Sequence, residues 1–159
     1  MFKIIGSAIV ILSATIFGMS RYNALFERKK TLLEILDGAR KIKAELSCLQ
    51  SPLHEIFMGC GTLFENSATR IMDGTTPSEA VKDSAREMCF LKDEDLRIIE
   101  RFASGLCASS CEGQLSNLAV FIQEIEKNLN DANSQLSRKG TRYVKGSILT
   151  AAAIVLLLI

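Results

Sequence analysis

The charge in this chain is confined between two apolar ends. No Asp, Glu, Lys or Arg occurs from Ile4 to Ser20 or from Gly146 to Ile159, and Lys3 is the single charged residue outside the interval Arg21 to Lys145. A soluble core gives no reason to place the longest apolar runs at both termini, whereas anchoring in a membrane at both ends does. A helix rises about 1.5 Å per residue, so a hydrocarbon core of about 30 Å needs roughly 20 apolar residues. Residues 1–20 meet this requirement if Lys3 reaches up to the interface. Residues 146–159 are shorter, about 21 Å as a helix, and suffice when Tyr143, Val144 and the stem of Lys145 lie in the interfacial layer. The expected organisation is a transmembrane helix over 1–20, a middle domain over 21–145, and a second transmembrane helix over 146–159 (from about 143).

Two other readings of these ends fit less well. A signal peptide over 1–20 would end in a small-residue cleavage site, and no convincing one follows. An in-plane anchor at the other end would show a polar face, which Ile148 to Ile159 lack. Orientation follows from the flanking cations. Arg21, Arg28, Lys29 and Lys30 follow the first run, and Arg138, Lys139, Arg142 and Lys145 precede the second. Both flanks put the middle domain in the cytoplasm and both termini outside, with the basic clusters against lipid headgroups.

The middle segment carries 18 basic and 18 acidic residues. A nucleic-acid partner would need a net basic face, so none is expected. Five cysteines, Cys48, Cys60, Cys89, Cys107 and Cys111, form no C-x-x-C pair. An odd count in a cytoplasmic domain argues against disulfides. Cys48, Cys60 and Cys89 fall among apolar neighbours, which predicts buried thiols acting as small hydrophobes, and no metal site is expected.

The periodicity is helical throughout. Leu32, Ile35, Ala39, Ile42, Leu46 and Leu49 recur at spacings of 3 and 4, as do Leu115, Leu118, Ile122, Ile125, Leu129, Ala132 and Leu136. Both are coiled-coil seams with apolar a and d positions. Each adjoins an apolar end with no strong breaker, Gly140 alone interrupting the second. The fold class is therefore all-α: a membrane-anchored helical bundle with two long antiparallel helices continuous with the N- and C-terminal transmembrane helices, and short helices at the tip. Pairing of each seam with a second copy, a homo-oligomer, is the alternative.

Turn residues divide the tip. Ser51-Pro52 predicts a helix start with Ser as cap and Pro at the first position, with Leu53, Ile56, Phe57 and Cys60 inward and Gly59 and Gly61 as its stop. A second short helix runs from about Thr62 to Met72 and ends at Asp73-Gly74. Thr76-Pro77-Ser78-Glu79 reads as a capping box opening a helix buried through Ala80, Val81, Ala85 and Met88. Lys92 to Leu106 follow, with Leu96, Ile99, Phe102 and Ala103 inward, and Gly113 lies in the turn before the second seam.

No constellation points to catalysis. His54 is the only histidine, beside Glu55 near a helix start, with no nucleophile motif, so a surface or capping role is expected. Asp93, Glu94 and Asp95 are the acids expected in a helix's first turn. Phosphate-binding glycine loops are absent. Small residues in the apolar ends (Gly6, Ala14, Gly18, Ala151, Ala152) permit close helix approach. The chain is not read as an enzyme, and no cofactor is expected.

Ile42 to Leu53, with Glu45 in the long helix and Pro52-Leu53 opening the short one, resembles the stage III sporulation protein AB family of endospore-forming bacteria. Thr75 to Val81 resembles that family's Thr-rich start of its middle helix, and Leu91 to Leu96 its Leu-x-x-x-Asp. Phe102 to Gln114 resembles its Leu-Gly…Asp…Gln segment, although Leu106-Cys107 and Ser110 replace the Leu-Gly and the Asp while Gln114 is kept. The resemblance implies a non-enzymatic platform of the mother cell–forespore apparatus, similar to the inner-membrane platform protein of type II secretion and type IV pilus machines. It implies as partners a stage III sporulation protein AA-type ATPase, other membrane components of the apparatus, and lipid. It implies a location in the outer forespore membrane with the domain on the mother-cell side. His54, Glu55, Glu65, Arg70, Lys82 and Asp83 are the candidate partner-binding residues on the tip, and Glu45, Pro52, Leu53 and Gln114 the family-motif residues, Glu45 chiefly as an internal hydrogen-bonding group. A small membrane-anchored coiled-coil adaptor or signalling regulator is the alternative function.

Overall fold

The computed structural model of the chain describes residues 2–48, 52–106, 111–140, 142, 146, 149–150 and 153, with the side chains of 2–11, 14, 47–48, 111 and 139 left out of that description. The elements are α1 (Phe2–Cys48), α2 (Leu53–Phe57), α3 (Thr62–Met72), α4 (Pro77–Arg86), α5 (Asp93–Gly105) and α6 (Cys111–Gln135), followed by a π-helical turn over Leu136–Gly140. No strand occurs among the described residues, as the helical periodicity requires. The chain divides into two compact units, residues 1–29 with 131–159, and residues 30–130.

In the 30–130 unit, Leu32, Ile35, Ala39 and Ile42 of α1 and Leu118 and Ile125 of α6 are buried as their spacing predicts. Leu46, Leu115, Ile122 and Leu129 are half-buried, and Leu49 lies outside the described residues. The stripes are wider than coiled-coil seams. Leu36 and Phe121, between seam positions, are 2 % and 1 % exposed, giving the three-position face of a helix that packs against several neighbours. Those neighbours are the short helices, which bury Ile56, Phe57, Leu63, Phe64, Val81, Ile99 and Phe102. Each fully buried side chain of this size contributes roughly 1.5–3 kcal/mol. Phe57 meets Phe64 in a tilted pair at 5.2 Å, and Phe102 stacks on Phe121 at 4.3 Å.

Local signals set most boundaries. Thr76 caps α4, its hydroxyl accepting from the Glu79 N–H and donating to the Glu79 carboxylate at 2.8 Å, with Pro77 at the first position. Gly59, Gly61 and Gly74 take positive φ at the stops of α2 and α3. Several expectations are corrected. Pro52 is the N-cap residue of α2 rather than its first helical residue, and Ser51 lies outside the described residues. Met88 falls beyond α4 and is half-buried, as is Leu96. Gly113 lies inside α6, not in a turn before it. Cys89 is exposed whereas Cys60 is buried, Cys89 lying in the turn between α4 and α5; Cys107 and the side chains of Cys48 and Cys111 are outside the description.

In the 1–29/131–159 unit, α1 and the π-helical turn approach closely. A Cβ added at Gly140 would stand 2.9 Å from the Tyr22 ring. Gly18 and Ala132 are buried, and so is Arg28, 3 % exposed, although the sequence counts it among the flanking cations. The expected spans over 1–20 and 146–159 fall largely on side chains or residues outside the description. Among the described residues no helix is long and apolar enough to cross a membrane. Several of the unit's large apolar side chains point outward: Leu12, Ile16, Phe17, Met19 and Leu149 are 54–69 % exposed, while Leu25 and Leu136 are half-buried.

Candidate partner-binding surface

The six residues singled out at the tip all lie in the 30–130 unit on α2, α3 and α4, which pack in sequence, α2 on α3 and α3 on α4. Glu55 and Glu65 are exposed, while His54, Arg70, Lys82 and Asp83 are half-buried. Two are engaged within the chain. Arg70 pairs with Glu87 just past α4, and Asp83 with Arg86 at 3.6 Å. The motif residues separate in role. Gln114 donates to the Leu106 carbonyl at 3.2 Å, satisfying an acceptor at the end of α5 that the helix cannot bond itself. Leu53 is half-buried and Pro52 exposed. Glu45 is half-buried and makes no hydrogen bond among the described residues; its charge acts on the nearby Cys60 thiol.

Polar side chains from the long helices organise the rest. Glu34 of α1 accepts from both the backbone N–H and the hydroxyl of Thr62, at 2.7 and 2.6 Å. Gly61, the N-cap of α3, has no side chain for this task, so Glu34 caps α3 from another helix. The Thr62 hydroxyl, then the Thr62 N–H, then the Lys30 ammonium hold its carboxyl below the usual range, burial opposing them. Asn117 donates to the Phe102 carbonyl at 3.0 Å, and Asn128 to Asp95 at 2.7 Å, while Asp95 also accepts from the Lys92 N–H at 3.0 Å. The α5–α6 hairpin is thereby tied at both ends. Asp93, Glu94 and Asp95 are the first-turn acids of α5, as expected, and burial to 0 % exposure with two donors sets Asp95 apart from the other two.

Arg–Glu pairs link neighbouring helices in series at the surface of this unit: Arg86 with Glu100 at 2.7 Å, Arg101 with Glu124, and Arg40 with Glu126 at 3.5 Å. Exposed pairs of this kind are each worth about 0–1 kcal/mol. Between α1 and the α2–α3 corner lies an open cleft of about 330 Å³ lined by Lys30, Leu33, Glu34, Asp37, Gly38, Lys41, Cys60 and Gly61. Lys41 crosses it to the Gly59 carbonyl at 3.2 Å. Burial, followed by Glu45 and Glu65 against the opposing Lys41, pushes the Cys60 thiol up, which makes it a poor nucleophile and an unsuited metal ligand. Among the described residues no group of His, Cys, Asp and Glu converges on a metal-sized site.

Sequence reasoning missed three large apolar side chains at the corners of the short-helix layer: Met58, Met72 and Phe90 are 49 %, 64 % and 45 % exposed. Their signal was present, since each sits beside a turn, next to Gly59, near Gly74, or before Leu91-Lys92. Exposed apolar groups among solvated acids and bases suit docking of a protein surface.

A family model described as stage III sporulation protein AB matches residues 3–159. A solved structure named as a stage III sporulation protein AB is similar in fold, with a TM-score of 0.62 and 17 % identity, covering 69 % of this chain and 96 % of that one. No curated protein matches.

Proposed function

The chain belongs to the stage III sporulation protein AB family, and from that premise we propose that it is a non-catalytic membrane platform of the mother cell–forespore apparatus. In this reading it couples a cytoplasmic secretion-type ATPase of the stage III sporulation protein AA kind to membrane components. The observation that carries it is α1, an unbroken helix of 47 residues, about 70 Å long at 1.5 Å per residue. It contributes to both compact units, which is what a mechanical link between membrane and head requires. The outward Leu12, Ile16, Phe17, Met19 and Leu149 suit a lipid environment, where the apolar face of a helix turns outward. In the head, the polar side chains of α1, α5 and α6 tie helix to helix, which supports a scaffold built for stiffness. The layer of α2, α3 and α4, with Glu55, Glu65 and Lys82 outward or half-outward and Met58 and Met72 at its corners, is the docking face.

Thiol accessibility in intact cells tests the topology. With native cysteines replaced, Ser110→Cys should resist a membrane-impermeant reagent while a cysteine added at the C-terminus is labelled. Labelling at position 110 would put the head outside and remove a cytoplasmic ATPase as direct partner. For the docking face, the paired reversals Glu55→Lys with Glu65→Lys, and Lys82→Glu, should weaken co-purification of the ATPase by tenfold or more, as loss of about 1.4 kcal/mol does. Unchanged capture would move the contact elsewhere.

A further inference from the structure

Charge is divided between the two units in a way the near-neutral total conceals. The 1–29/131–159 unit holds eight of the nineteen Lys and Arg and two of the eighteen Asp and Glu. The 30–130 unit holds the other eleven and sixteen. One unit is therefore strongly basic and the other acidic.

Within the basic unit the structure gives the cations a level. Leu12, Ile16, Phe17 and Met19 are exposed, and directly after them the Arg21 guanidinium lies over the Phe17 ring, 5.4 Å from its centre. A cation seated on an apolar ring at the end of an apolar run is the arrangement of a side chain that keeps its stem in hydrocarbon and its head among headgroups. Tyr22 follows, and its ring packs against Gly140. Arg138 and Arg142, two residues to either side of Gly140, belong to the same compact unit as Arg21. All three arginines are exposed, and none is in an ion pair among the described residues. Tyr22 and Tyr143 are the chain's two tyrosines and border the two apolar ends, where aromatic side chains mark the membrane–water interface.

We propose that this unit carries a basic collar, with Arg21, Arg138 and Arg142 as its contacts, that selects anionic phospholipid headgroups. A guanidinium binds a phosphate oxygen pair through two parallel N–H donors. A zwitterionic headgroup offers the same phosphate together with its own cation, which the surplus of arginines and lysines repels. Orientation by flanking charge alone needs no such selectivity. Arg28 is outside the collar because it is buried. The proposal rests on the membrane reading above, and the test separates the two.

The full chain is reconstituted into vesicles of phosphatidylcholine alone or mixed with phosphatidylglycerol. Flotation reads insertion, and spin-labelled phosphatidylglycerol and phosphatidylcholine report which lipid the protein immobilises. The expected result is flotation with both compositions and a preference for phosphatidylglycerol of about fivefold or more, since a basic side chain near an anionic surface contributes that much per residue. The preference should fall towards parity in R21Q/R138Q/R142Q, with helix content by circular dichroism unchanged, and in 1 M salt, where the screening length is about 3 Å. Flotation without any preference, or a preference that survives the triple substitution, overturns the collar and leaves the membrane reading standing. Failure to float with either composition overturns both. Loss of the preference to millimolar inorganic phosphate would mark a free-anion site and also overturn it.

Discussion

Glu34 shows how one side chain can hold a helix it does not belong to. Gly61 is needed at the start of α3 because the chain turns there at φ +98°, and a glycine has no side chain to accept from the first N–H groups of the helix. The carboxylate of Glu34 takes over both donors of Thr62. Loss of a helix cap costs about 1 kcal/mol, so Glu34→Gln, which keeps an acceptor but not the charge, should lower stability by somewhat less than Glu34→Ala, both read by urea unfolding. The pH dependence has a fixed sign. The folded carboxyl titrates below its unfolded value of about 4.3, so its contribution is complete above that value and is lost as pH falls through the folded one. The difference between wild type and Glu34→Gln should shrink below about pH 4; a difference that is flat from pH 7 to 3 would deny the charged cap. Cys60 runs the other way. Its thiol is pushed up, first by burial, so the stability it lends is present below about pH 8.5 and declines above. In chains retaining one cysteine, Cys89 should alkylate at pH 8 at least about tenfold faster than Cys60; equal rates would mean that the α2–α3 corner opens readily.

At the scale of elements, the sequence reads well where a local rule decides and poorly where a distant partner does. Thr76-Pro77-Ser78-Glu79 announces α4 because every group in the cap is within four residues. The glycine stops of α2 and α3 are legible for the same reason. Asp95 is not: Asp93 and Glu94 look equivalent to it until Asn128, on another helix, selects it. Gln114 could be flagged by resemblance, but its work on the Leu106 carbonyl appears only with α5 and α6 side by side. The extra buried positions Leu36 and Phe121 were hidden for a related reason, since a strict two-position seam assumes one partner helix and these helices have several. Gly38 belongs to this group too. It sits mid-helix in α1, where glycine costs about 1 kcal/mol relative to alanine. It is there because an added Cβ would stand 1.9 Å from the Cys60 carbonyl and 2.9 Å from the Phe64 ring. Gly38→Ala should therefore destabilise despite its better helix propensity, by about 2–3 kcal/mol and on the order of 10 °C in Tm. A neutral or raised Tm would show that the corner can move off α1 at little cost.

At the scale of the whole molecule, the sequence exposes the apolar ends and the long helices but not the partition of charge. The middle segment counted from Arg21 to Lys145 is neutral because it mixes the cations flanking the apolar ends with an acidic head. Separating them needs the unit boundary, which falls between Lys29 and Lys30 inside an uninterrupted helix. That position makes the coupling proposal testable by substitutions at the boundary that leave the docking-face residues and the collar arginines in place. If α1 transmits force, its stiffness at the boundary matters apart from what it anchors or binds. K29G/K30G keeps helix length and phase but replaces two residues of good helix propensity by two that cost about 1 kcal/mol each. K29A/K30A removes the same charges and keeps the helix stiff. Both variants should float with vesicles and capture the ATPase as wild type does, and the alanine variant should support normal spore counts. The glycine variant should lower them at least about tenfold if a rigid α1 is required, whereas equal spore counts in the two variants would make the protein a tether, and the continuity of its longest helix incidental to its role.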